Sequence, residues 1–158
     1  MSPPLSTTDI ALRLIAATLA GSVLGLNRDL HGKAAGLRTL AMVSLGAASI
    51  ALVVPLTTGV DVGAEGRVIQ GLVTAIGFIG AGVIIHDSLG KKVHGLTTAA
   101  CSWFAVAVGI MSGAGLWSEL LIAFALSIAV LSLGGWIERR LNLLLRRPPG
   151  TEEEPGDG

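Results

Sequence analysis

The side chains able to do chemistry crowd into two short polar stretches. One runs from Arg28 and Asp29 through His31 to Arg38 and Thr39; the other runs from His86 and Asp87 through His94 to Thr97 and Thr98. No pair among His31, His86 and His94 has the helical spacing of metal ligands, and no strand-turn nucleophile or phosphate-cradling Gly-Lys-Ser loop is present. The expectation is therefore no enzyme, no metal and no cofactor. A pathway for a divalent cation such as calcium or magnesium needs oxygen ligands, usually carboxylates. No Asp or Glu lies deep inside the long apolar runs that separate these stretches, so a cation channel is weakly supported. Cys101 stands alone, which excludes an internal disulfide, and reads as a small buried side chain.

What holds the two stretches in place is a set of apolar runs. The chain has 158 residues, 51% hydrophobic and only 14% charged. A soluble domain carries about 25% charge. Runs of this length and polarity cross a bilayer core of about 30 Å. The spacing predicts spans at about 10–27, 37–56, 68–85, 96–113 and 117–137, within one transmembrane domain over 1–147. Residues 148–158, acidic and rich in Pro and Gly, read as a disordered tail. The first run lacks a basic stretch before it and is expected to be a retained span. Asp9 and Arg13, four apart, are placed to pair on its face. The runs are continuous, not alternating, which argues against a barrel.

Charge sets the orientation. Arg28, Lys33, Arg38, Lys91, Lys92, Arg139, Arg140, Arg146 and Arg147 fall on one side of five spans, whereas the opposite loops hold only Arg67. The basic side is expected to be cytoplasmic, with the N-terminus outside and the C-terminus inside. Trp117 and Trp136 flank the fifth span as interface anchors, and residues 138–147 read as its amphipathic end.

The two polar stretches resemble each other. With one inserted residue, Asp29, Gly32, Lys33, Gly36, Leu37 and Thr39 align with Asp87, Gly90, Lys91, Gly95, Leu96 and Thr98. Spans one and two then form a hairpin related to spans three and four by a parallel repeat, with the fifth span outside. Small residues mark the faces that pack: Gly21 and Gly25, Gly77, Gly80 and Gly82, and Gly109 and Gly113. In lipid, helices associate by close van der Waals contact, which glycines permit. Arg38 opens span two, where a cation opposes the helix dipole by about 0.3–1 kcal/mol. Its compensation is either an ion pair with Asp29 or Asp87, or a bound anion. Arg28, Asp29, Arg38, Thr39, Asp87, Thr97 and Thr98 thus form the candidate polar or anion site on the cytoplasmic side.

At these residues the chain resembles the MgtC/SapB family of bacterial membrane proteins. The likeness covers about Leu14 to Gly113 and rests on three blocks: Ala35 to Ala48, Gly66-Arg67 with Ile76 to Ile85, and Gly95 to Trp103. It implies a location in the bacterial inner membrane and a link to survival in low magnesium and stress. It also implies action on other membrane proteins, ATP synthase among them. The chain departs from the family at Asn27, where members often have Glu, and at Gly71, where Gln is usual and Gln70 stands one place early. Many members carry a soluble C-terminal domain, in place of which this chain has the acidic tail. The reading is an all-α, five-span membrane protein with two repeat hairpins and a fifth helix. It is expected to be a non-enzymatic regulator of cation homeostasis working through membrane partners, with anionic lipid and homo-oligomers as further possible contacts and no nucleic acid. A small oligomeric transporter or channel is the alternative.

Overall fold

The computed structural model describes residues 5–57, 62–86 and 93–145. Five helices account for most of them: α1 Thr7–Leu30, α2 Leu37–Thr57, α3 Val62–Val83, α4 Leu96–Ala114 and α5 Trp117–Leu145. Each is long and apolar enough to cross a membrane. The chain divides into two units, Met1–Phe124 and Ala125–Gly158.

Helix ends follow local chemistry more closely than apolarity does. α1 begins at Thr7 because Ser6 caps it, its hydroxyl accepting the Asp9 N–H at 3.1 Å. Asp9 in the first turn suits the positive end of the helix dipole. α3 begins at Val62, ahead of the expected 68, with Glu65 in its first turn. It also ends two residues early. Ile85–His86 (β1) pairs antiparallel with Val93–His94 (β2), so the segment between α3 and α4 is a small hairpin, not a helical extension. The residues between these strands, Asp87 among them, lie outside the described residues, as does the tail at 148–158.

The core of the first unit is a sandwich of α1, α2 and α4. α1 buries Ala17, Gly21, Leu24, Gly25 and Arg28, which share one face at helical spacing. A Cβ on Gly21 would meet the Leu40 carbonyl and the Ser44 side chain; one on Gly25 would meet the backbone of Gly36 and Leu37. α1 and α2 are therefore antiparallel and nearly touch backbone to backbone. On the other side of α2, a Cβ on Gly109 would strike the Ser44 carbonyl and Ala47, and one on Gly113 would strike the Ala48 carbonyl and Ala51. The two numberings rise together, so α2 and α4 run parallel. Cys101 is buried on α4, in the same core.

α3 joins this core along a thin line. Ile76 packs with Ala47 and Val106, flanked by Leu72, Val43 and Ile110. Gly80 lies in ordinary contact with Ala99, its Cβ position 3.7 Å from that methyl. Ile76 thus meets Val106 and Gly80 meets Ala99, so α3 and α4 form the second antiparallel hairpin. Gly77 and Gly82 face open space within the chain. In the second unit, Leu126, Val130 and Leu133 are exposed along the continuing α5.

Candidate functional site

The polar site is built where α1 ends and α2 and α4 begin. Arg28 lies in the last turn of α1, where a cation complements the helix dipole. It is nonetheless only 5% exposed. Its Nη2 donates to the Thr98 hydroxyl in the first turn of α4, and its Nε finds no partner. Thr98 is buried, and the Ser102 hydroxyl donates to its carbonyl at 3.1 Å. Gly95, at φ 91°, turns the chain into α4, and a side chain there would collide with the Val83 carbonyl. Only glycine combines that backbone with that closeness.

Asp29, one residue on from Arg28, faces another way. Its Oδ2 accepts the Leu37 N–H at 2.9 Å and so caps α2 from outside the helix. Gly36 is required beside it, since a Cβ would overlap that carboxylate. The turn between α1 and α2 is closed by the His31 and Lys33 N–H groups donating to the Arg28 carbonyl. It passes through Gly32 at φ 61° and Ala35 at φ 58°. The His31 ring sits 2.7 Å from the Asn27 carbonyl.

Of the seven residues in the candidate site, the structure brings Arg28 and Thr98 together as a buried pair. It places Asp29 at the start of α2. Arg38, Thr39 and Thr97 are exposed. Among the described residues Arg38 forms no ion pair, and Asp29 is engaged with backbone instead. The carboxylate cap on Leu37 answers the dipole of α2 directly, so no Arg38–Asp29 pair is needed. Asp87 lies outside the described residues.

A second polar junction, at the opposite end of the same helices, is less visible in the sequence. Arg13 pairs with Asp9 at 3.1 Å, as the spacing anticipates. It also donates through Nη1 to the Gly113 carbonyl at 2.7 Å, at the C-terminal end of α4. The Ser112 hydroxyl donates to the Arg13 carbonyl at 2.7 Å. Each end of α4 is therefore held by an arginine of α1. No signal in the sequence pairs residues some 100 positions apart. Midway, Ser44 is fully buried between α1 and α4 with its hydroxyl unpartnered. Among the described residues, no three His, Cys, Asp or Glu side chains gather as a metal site.

Five apolar helices, three of them locked by glycine pairs, with arginines at both ends of the core, define a polytopic membrane protein. Its sequence places it more narrowly. The chain belongs to the MgtC family, whose pattern matches residues 14–140. It is 34% identical to Protein SrpB of Synechococcus elongatus, over 94% of this chain and 93% of that protein. It is 37% identical to Protein MgtC of Salmonella typhi, over 90% of this chain and 58% of that protein. With Protein MgtC of Brucella abortus the identity is 40%, over 82% of this chain and 52% of the relative. The chain thus spans little more than half the length of these MgtC proteins. No solved structure matches it.

Proposed function

We propose that the chain is a non-enzymatic regulator of the bacterial inner membrane, acting by helix–helix contact on membrane protein partners in magnesium or other cation homeostasis. The N-terminus lies outside and the C-terminus in the cytoplasm, a reading supported by the distribution of basic residues between alternate loops.

The observation that carries this reading is the outer face of α3. Among its described residues Ile76 alone is buried. Gly66, Gly71, Gly77 and Gly82 have no neighbour within 4 Å of a Cβ position, and Gln70 and Thr74 are exposed among them. A span facing lipid alone gains nothing from glycines, and an amide in hydrocarbon is unfavourable without a partner. Small residues with a hydrogen-bonding amide suit a second helix. The family resemblance supports the link to magnesium.

Two measurements on the full chain test this together. Purified protein in proteoliposomes is expected to move no magnesium, and a pull-down from native membranes in mild detergent is expected to recover a membrane protein in fixed proportion. Magnesium flux through the purified chain alone would overturn the regulator and favour a transporter.

A further inference from the structure

Arg28 is a buried cation with no counter-charge among the described residues. It is 5% exposed and forms no ion pair among the described residues; the Arg13–Asp9 pair lies at the far end of α1. Its neighbour Asp29 is committed to the Leu37 N–H. A lone buried charge is strongly unfavourable unless something of opposite sign joins it. The guanidinium edge that carries Nε and Nη2 is only half used: Thr98 takes one Nη2 hydrogen, and Nε–H has no acceptor.

The second feature is the start of α4. Its first α-helical hydrogen bond runs from the Ala99 N–H to the Gly95 carbonyl. The N–H groups of Leu96, Thr97 and Thr98 precede that bond, and glycine at the cap supplies no side-chain acceptor. α2, which begins at the matching place in the repeat, has the Asp29 carboxylate for this purpose. An uncapped helix N-terminus favours anions. The free Nε–H of a guanidinium fits one oxygen of a phosphate and matches its charge. The Thr98 hydroxyl joins the two features, since it accepts from Arg28 and keeps its own hydrogen to donate.

We propose that the buried Arg28 guanidinium and the first turn of α4 together bind a phosphate group, carried by a lipid headgroup or by free phosphate. Both helix ends sit at one end of their spans, the level at which headgroup phosphates lie. The inference stands on this geometry and needs no protein partner, so its failure leaves the regulator reading standing.

The test uses the purified full chain in maltoside micelles, which carry no phosphate. Its melting is followed by tryptophan fluorescence. Inorganic phosphate, against chloride at equal ionic strength, is one probe; phosphatidylglycerol mixed into the micelles is the other. At least one is expected to raise the melting temperature by about 4 °C or more at saturation. Response to both means that the phosphate group suffices; response to phosphatidylglycerol alone means a lipid headgroup. Arg28→Gln should abolish the rise, and Asp87→Asn should retain it. If Arg28→Gln does not fold, Arg28→Lys keeps the charge but loses the Nε–H donor beside the Thr98 hydroxyl, and is expected to need at least about tenfold more probe for the same rise. Absence of any rise in the wild type overturns the proposal. So does a rise that persists in Arg28→Gln or is unchanged in Arg28→Lys. A response that appears only in Asp87→Asn would make a carboxylate the resident anion and overturn it equally.

Discussion

Substituting alanine at two glycines should move stability in opposite directions. At Gly109 a new methyl would overlap the Ser44 carbonyl and come within 2.7 Å of the Ala47 Cβ and 3.1 Å of the Ala48 nitrogen. Two of these are backbone atoms of α2, so relief requires the helices to separate. Overpacking of this kind costs about 1–3 kcal/mol. The gain in helix propensity from Gly to Ala offsets about 1 kcal/mol. The net loss is up to about 2 kcal/mol, which for a chain of this size lowers the melting temperature by up to about 8 °C. At Gly77 a methyl meets nothing within 4 Å. There only the propensity term acts, and Gly77→Ala should melt about 2–4 °C higher. Cys101, the only cysteine and buried, provides the assay, because a thiol-reactive dye reports its exposure as the purified protein unfolds. The reasoning fails if Gly77→Ala melts below Gly109→Ala, or if Gly109→Ala is stabilised.

Three further outcomes are expected. Arg13→Gln removes the charged donor to the Gly113 carbonyl and the pair with Asp9, and should cost about 1.5–3 kcal/mol in thermal unfolding; an unchanged melt would show that this junction is unimportant. Asp29→Ala uncaps Leu37 and should cost about 1 kcal/mol, with hydrogen exchange rising first at the start of α2; exchange rising instead at the start of α4 would contradict the assignment. In a Cys101→Ser background, Ser2→Cys should react with an impermeant thiol reagent on intact cells and Asp157→Cys should not; the reverse pattern would invert the topology.

Five spans and their hairpins were legible because continuous apolar runs and basic loops are strong signals. Helix ends were not, because they follow caps: Ser6 starts α1 earlier than hydropathy does, and the strand pair Ile85–His86 with Val93–His94 ends α3 sooner. Glycine spacing marked Gly21, Gly25, Gly109 and Gly113, but it could not tell an inward face from an outward one. Gly77 and Gly82 have the same composition around them and face open space. The same ambiguity affected the arginines. The dipole argument singled out Arg38 from its place in a first turn, yet the buried cation is Arg28. Which face of α1 meets α4 decides that, and only the fold supplies it. The loop alignment did carry one true correspondence: Leu37 and Leu96 open α2 and α4 at matching places.

The account depends most on α3 offering its outer face to another protein. Phe78, 85% exposed on that face, is the position to probe. A photo-crosslinking residue placed there in the full chain, in living cells, should join it under ultraviolet light to a different membrane protein of defined mass. The adduct should vanish when Gly77→Leu blocks close approach, and the same probe at buried Leu24 should give none. Adducts from Phe78 with lipid alone, or with a protein whose yield is indifferent to Gly77→Leu, would contradict it.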